Sequence, residues 1–531
     1  MKSSSYIVLI CLILFLPLFA SAQDGLKLSG QAKLGYLFID DDGKMSTTPE
    51  IFQIYSGFTL ENLNLKGIFK KNASFELDFS NINQDNRSLS FSLRRPGLFS
   101  LTSQCNQSRF IFDKEGKIKS ERTFATISGY FQPTKFLKLK SDFSHHLKEG
   151  DRRTYFDGLG IGGGEYDQFF WSVGFGGQLK FGKRFLDFQY RLRSLDDRKN
   201  DLQDREGSQI RTTLNLPLPQ KIFLSLQYLH DENKLSEFGS IGKKSELELK
   251  SDLYNLSILY QPIRRIVLST KFLFQRTENQ STQITSDILR GGGEISYEFY
   301  RGYRLNWGYE YEKREDQAES DEEEAETIIN TYLVGAYAKF IPELSLKARY
   351  VFQDRKDEDK VTTTGPYEDE KILVELKSKP TKEVNLKLRY EDKRRDNPDI
   401  LTSICDKGFV SYLSITLKKW FGLYFNYSLL DVEYKNTVGK FKTDNKTFSS
   451  QITLKPFDKL NLKGGWNHLD IRGDLDIRKE GVWFGFDYGL MDGYSLEGKY
   501  NAYDYDDYLY LPENYVANVY TISLVKKFGG M

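Results

Sequence analysis

Long apolar runs are missing from most of this chain. Past residue 22 no stretch of ~20 apolar residues occurs, so no helix spans a bilayer. Charge of one sign is missing too: 75 Lys and Arg balance 74 Asp and Glu, with no basic tail or stripe, so nucleic acid finds no electrostatic footprint. Cysteine and histidine are scarce, at three and four residues. No Cys-x-x-Cys-His occurs, which excludes covalent c-type haem on this chain. No nucleophile–base pair or close carboxylate pair can be assigned, so the chain is read as a non-enzyme. What is abundant is aromatic: 33 Tyr and 39 Phe bring the aromatic share to 15%, beside 28% charged residues. A soluble protein of several helical domains would carry more Ala, Val and Leu.

Residues 1–22 read as a signal peptide. Lys2 supplies the positive start, Ile7 to Phe19 the apolar stretch, and Ala20-Ser21-Ala22 the small-residue cleavage site. Cys11 falls within the removed part and Gln23 follows the cut, so no lipoprotein anchor is expected. Cys105 and Cys405 remain. An exported compartment permits a disulfide, and sequence leaves open whether the two meet.

Residues 23–531 repeat one pattern. Lys455 to Tyr488 shows it best: a tight turn at Lys455-Pro456-Phe457-Asp458-Lys459, then Leu460, Leu462, Gly464 and Trp466 on one face, a polar loop, and Val482, Phe484, Phe486 and Tyr488 returning. Period two marks strands. Similar turns recur about every 40 residues, at Gln132-Pro133-Thr134, Phe181-Gly182-Lys183, Leu218-Pro219-Gln220, Gln261-Pro262-Ile263, Arg301-Gly302-Tyr303, Ile341-Pro342-Glu343, Lys379-Pro380-Thr381, Lys418-Lys419-Trp420 and Met491-Asp492-Gly493. Between them run long polar stretches such as Leu195–Ser208, Lys313–Thr327 and Asp354–Glu368.

Short turns on one rim and long charged loops on the other are the asymmetry of an outer-membrane barrel. Lipid forbids an open sheet edge, so the sheet must close. Twenty-one strands are counted from Glu121 onward and five before it, near Gly25–Ile39, Ile51–Leu60, Ala73–Phe79, Ser88–Arg94 and Leu98–Cys105, with Leu63–Phe69 able to prolong the second. The predicted fold is therefore all-β: a single large antiparallel transmembrane β-barrel of about 26 strands, in the bacterial outer membrane. Its partners then include outer-membrane lipid, lipopolysaccharide and the barrel-assembly machinery, whose signal the terminal strand Val519–Phe528 resembles.

Barrel size bears on function. Barrels of 16 to 18 strands already hold a water channel, and 22-stranded transporters carry a plug. A still wider lumen, with no segment long enough to form a plug domain, calls for a second protein or for loops folded inward. The candidate lumen-facing residues, and so the candidate partner contacts, are Arg304, Asn306, Glu310, Glu312, Lys347, Arg349, Glu383, Asn385, Lys387, Arg389 and Glu391. Their mixed signs suit a protein guest and equally suit a hydrated pore wall.

Phe75 to Phe99 carries Asp85-Asn86-Arg87-Ser88-Leu89, then Gly97 and Phe99, and Leu137 to Arg153 ends in a Gly-Asp-Arg loop. These stretches resemble the MtrB/PioB family of outer-membrane barrels. The resemblance implies a sheath that holds a periplasmic multihaem c-type cytochrome across the membrane, docks an extracellular cytochrome on its loops and serves extracellular electron transfer. Haem would belong to the partner, with no cofactor in this chain; the protein would supply position and exclusion of lipid. The chain lacks the early Cys-x-x-Cys of some members. The alternative is a porin-like channel or exporter for small solutes or polymer.

Other motifs carry less. His145 and His146 point to opposite faces of a strand, poor geometry for one metal. Gly158–Gly164 matches Gly-x-Gly-x-x-Gly, yet the alternating run Tyr166–Leu179 follows it where a dinucleotide site needs a helix. The acidic run Glu319–Glu326 is compatible with divalent cations, with anion repulsion or with simple solvation. No metal site is assigned.

Overall fold

The computed structural model describes residues 27–529 apart from 44–55, 70–71, 83, 85, 112–118, 152–164, 199–203, 239–243, 318–324, 358–366, 398–400, 418–419, 438 and 509–513. Residues 1–22, read as a signal peptide, together with Asp85, the Gly158–Gly164 run and most of the Glu319–Glu326 run, thus lie outside the described residues.

Twenty-six strands account for nearly everything described. They are β1 Lys27–Gly43, β2 Gly57–Ile68, β3 Ser74–Ser80, β4 Ser88–Arg95, β5 Phe99–Ile111, β6 Lys119–Phe131, β7 Leu137–Asp151, β8 Glu165–Phe181 and β9 Arg184–Asp197. Next come β10 Arg205–Leu218, β11 Ile222–Phe238, β12 Lys244–Ile263, β13 Ile266–Asn279, β14 Ile284–Tyr300, β15 Tyr303–Gln317, β16 Ala325–Ile341, β17 Leu344–Asp357 and β18 Tyr367–Ser378. The last are β19 Val384–Asn397, β20 Thr402–Leu417, β21 Phe421–Lys435, β22 Lys440–Phe457, β23 Leu460–Gly473, β24 Ile477–Gly489, β25 Tyr494–Asp507 and β26 Tyr515–Phe528. Consecutive strands pair antiparallel, and β1 pairs with β26 from Gly30↔Phe528 to Gly43↔Tyr515. That last ladder closes the barrel and leaves no edge for lipid to desolvate.

Each strand has one apolar face. On β15 it is Leu305, Trp307 and Tyr309, with Trp307 43% and Tyr309 44% exposed. On β26 it is Tyr520, Ile522 and Leu524, each roughly half-exposed. Aromatic and branched side chains this open to their surroundings belong against acyl chains. The band starts at the short turns and ends abruptly. On β17 Leu344, Leu346, Ala348, Tyr350 and Phe352 give way to Asp354; on β19 Val384, Leu386, Leu388 and Tyr390 give way to Asp392. Tyrosine hydroxyls mark the change of medium. Tyr228 donates to Asp252 at 2.8 Å, Tyr309 to Asn330 at 2.6 Å, Tyr350 to Glu370 at 3.3 Å, Tyr390 to Asp392 at 3.2 Å and Tyr500 to Asn518 at 2.8 Å. Such a ring has its body in lipid and its hydroxyl in the wet interface.

Strands continue past this girdle. β9 runs to Asp197 and β10 starts at Arg205, β15 runs to Gln317, and β17 to Asp357, so the stretches expected as long loops are partly strand. The wall projects roughly 10–15 Å beyond the lipid as a polar collar. At two expected turns the proline itself lies in the preceding strand, and the turn follows it. Pro262 and Pro456 sit inside the ends of β12 and β22, at register irregularities between Tyr260 and Ile263 and between Leu454 and Phe457. Proline has no N–H for the ladder and is tolerated where the ladder is already broken. The second strand lies later than expected, at Gly57–Ile68, taking in most of the Leu63–Phe69 segment. Cys105 and Cys405, on strands that do not pair, form no disulfide.

Candidate functional site: the luminal wall

The residues between the lipid-facing positions form the inner wall. Register carries one face through successive strands: Arg304↔Tyr337, Tyr337↔Lys347, Lys347↔Glu375 and Glu375↔Arg389. Arg304, Asn306, Glu310 and Glu312 of β15, Lys347 and Arg349 of β17, and Asn385, Lys387, Arg389 and Glu391 of β19 all lie on it. Glu383 does not. It sits in the turn before β19, where its backbone N–H donates to Thr381 Oγ1 at 3.3 Å.

The wall is a network of ion pairs, both across strands and along them. Glu375 receives Lys387 at 2.8 Å and Lys377 at 2.9 Å; Glu391 receives Lys371 and Arg389, both at 2.5 Å. Arg290 bridges to Glu312 and lies 3.6 Å from Glu310. Earlier in the chain, Arg191 of β9 meets Asp142 of β7 at 2.8 Å and Arg193 meets Asp231 of β11 at 2.5 Å. Arg304 stands over the Tyr337 ring at 5.6 Å. Lys347 and Arg349 are exposed and make no ion pair among the described residues. In a water-filled or guest-filled lumen these pairs position side chains more than they stabilise the fold.

His146 joins this wall beside Phe124, while His145 faces outward beside Phe169. Among the described residues no three metal-ligating side chains converge. In the collar, past the apolar band of β21, hydrogen bonds from Lys440 and Lys435, each at 2.9 Å, hold the Glu433 carboxyl down to about 2.

One part of the wall, at the closing seam, was not found by sequence reasoning. At the closing seam Lys33 of β1 bridges Glu61 of β2 and Glu497 of β25, each at 2.8 Å, and Ser523 of β26 donates to Glu61. Four strands are tied by one ammonium, two carboxylates and one hydroxyl. Glu61 is available because the β1–β2 register slips between Lys33 and Leu34, pairing Lys33 with Asn62 and Leu34 with Leu60. A bulge of this kind re-aims a side chain. Its signal is in the sequence: Phe58 and Leu60 alternate, then Leu63 and Leu65 resume one position late, with Glu61-Asn62 in the gap. Gly35 completes the arrangement, because a Cβ there would collide with the Glu61 carboxylate.

No family model matches this chain, and no curated protein matches it. Solved structures do. A mutant of the ferric enterobactin receptor PfeA from Pseudomonas aeruginosa aligns over 95% of this chain and 81% of its own at 10% identity, with a TM-score of 0.50. The siderophore receptor PirA from the same organism aligns over 95% and 80% at 10% identity with a TM-score of 0.47. BauA, the ferric preacinetobactin receptor of Acinetobacter baumannii, aligns over 94% and 81% at 10% identity with a TM-score of 0.45. At such identity the PfeA likeness shows the fold alone. This chain is a large bacterial outer-membrane β-barrel.

Proposed function

We propose that the barrel is a sleeve: it holds a second macromolecule, a multihaem c-type cytochrome of the periplasm, across the outer membrane for electron exchange with the exterior. The observation that carries this reading is the width of the wall against what fills it. Twenty-six strands at the usual spacing and tilt close a ring roughly 50 Å across between opposite backbones. Every described residue belongs to a strand or a connection between strands. Side chains reduce the free width to roughly 35–40 Å, about the diameter of a compact domain of 100 to 200 residues. Left open, such a bore would pass most periplasmic solutes without selection. A guest restores the permeability barrier, and the resemblance around Asp85–Leu89 names its class.

The salt-bridged inner wall supports the same reading. A sign-mixed polar surface keeps a guest soluble and oriented without requiring either partner to expose a hydrophobic core. The collar extends this wall beyond the lipid and gives an extracellular cytochrome a rim to meet.

Gentle extraction of the barrel from its native membrane tests the proposal. A haem-staining protein in stoichiometric amount is expected to co-purify. Recovery of the bare barrel, with a large steady conductance in planar bilayers, would instead favour the channel for solutes or polymer.

A further inference from the structure

We infer that the closing seam holds a binding site for a neutral saccharide, recessed into the luminal wall. This goes beyond the sleeve reading and does not depend on it, because the site is a hollow in the wall itself. The hollow has a volume of about 460 Å³, within the usual range for a small-molecule site. It is formed by β1, β2 and β23–β26, together with Asn81 and Gln84 beyond β3; here Asn81 N–H donates to Glu61 O at 2.9 Å and Ile82 N–H to Leu60 O at 3.1 Å.

Three features define the ligand. The first is electrical neutrality. Lys33, Lys463 and Lys499 line the hollow against Glu61, Asp487 and Glu497, three charges of each sign, and Lys33 is already committed to two of the carboxylates. A site for a ferric siderophore anion or a free cation would carry an excess. The second is a wealth of hydroxyl-matching groups: Asn81, Gln84, Asn461 and Asn501 supply amides, each with both a donor and an acceptor. Thr59 Oγ1 and Asn461 Oδ1 are buried with no hydrogen-bond partner among the described residues, and Thr59 is only 3% exposed. Buried polar groups left unpaired cost free energy, and a ligand hydroxyl at these atoms removes that cost.

The third is a flat aromatic. Trp483 projects inward from β24, and its indole lies over Gly465 of the neighbouring strand, where a Cβ would collide with the ring nitrogen. Glycine lets the ring lie down along the wall. A sugar ring has an apolar C–H face and a hydroxylated edge, so it stacks on the indole while its edge meets the amides. A zwitterionic peptide would find charges but little use for the indole face.

The test uses the full-length barrel in detergent and titrates maltose, cellobiose and N,N′-diacetylchitobiose, with Ala-Ala as the zwitterionic probe and citrate as the anionic one. Saturable binding of at least one disaccharide is expected, weakened tenfold or more by Trp483→Ala and changed less than threefold by Trp483→Phe or by the lipid-facing Trp466→Ala. Heat-modifiable gel mobility establishes that each variant is folded. Binding of Ala-Ala or citrate alone, no binding of any probe, or disaccharide binding indifferent to Trp483→Ala would each overturn the inference. None of these outcomes bears on whether a haem protein co-purifies.

Discussion

The seam where β26 meets β1 and the wall from β14 to β19 have the same architecture and opposite interiors. Along β14–β19 most charged side chains meet a partner one strand away or on their own strand, while Lys347 and Arg349 stand exposed in the lumen. At the seam the Lys33 ammonium ties β1, β2 and β25 at once, and the surrounding inner face is buried: Leu37, Tyr515, Ala517 and Val519 pack together, and Ser523 is 2% exposed. Inner side chains of a wide barrel are ordinarily solvated. Apolar burial on the inner face sets this sector apart from β14–β19, where the buried inner side chains, Thr327, Asp369 and Asn397, are polar.

The largest effect is expected from putting side chains where only glycine fits. Gly35→Leu drives a side chain into Glu61 and Ser523, so the variant should give little heat-modifiable barrel on detergent gels. Gly335→Ala, on the inner face of β16 with 3.5 Å to its nearest neighbour, should fold as the parent does. Equal yields from both would erase the distinction between the sectors.

Next comes the ion triad. Lys33→Met leaves Glu61 and Glu497 facing each other without a cation and should lower stability to urea by about 2 kcal/mol, less than a fully buried pair would because these groups keep some solvent. Lys387→Met on the other wall removes one of two cations from Glu375 and should cost within about 1 kcal/mol. A reversal of that order would show the triad to be incidental.

The smallest effect concerns the girdle, which runs past both sectors. Tyr228→Phe and Tyr500→Phe each remove one interfacial hydrogen bond and should each cost about 1 kcal/mol in the same unfolding assay. A much larger loss at Tyr500 would mean that the seam's packing reaches its lipid face.

The seam and the wall were not equally legible. Leu305, Trp307 and Tyr309 alternating with Asn306 and Glu310, or Val384, Leu386 and Leu388 with Asn385 and Lys387, declare their faces through period two alone, and the wall residues were placed on that basis. The same alternation reaches Glu383, in the turn that precedes β19. Pro262 and Pro456 stand just ahead of their turns, since a proline next to a broken ladder satisfies the same constraint as one in the turn. Lys33, Glu61 and Glu497 were invisible as a group: they lie far apart in the chain, and only the phase slip at Glu61-Asn62 hints at anything unusual.

What the sequence determined by itself was local and periodic: strands, their lipid face, the tally of 26 and hence the closed barrel, because side-chain alternation is a property of each strand alone and a sheet in lipid has no other way to end. What only the tertiary structure decided was where strands outlast the membrane and which inner residues meet at the closure. Those depend on register between segments at opposite ends of the chain, and a shift of one residue there would turn every inner side chain toward the lipid.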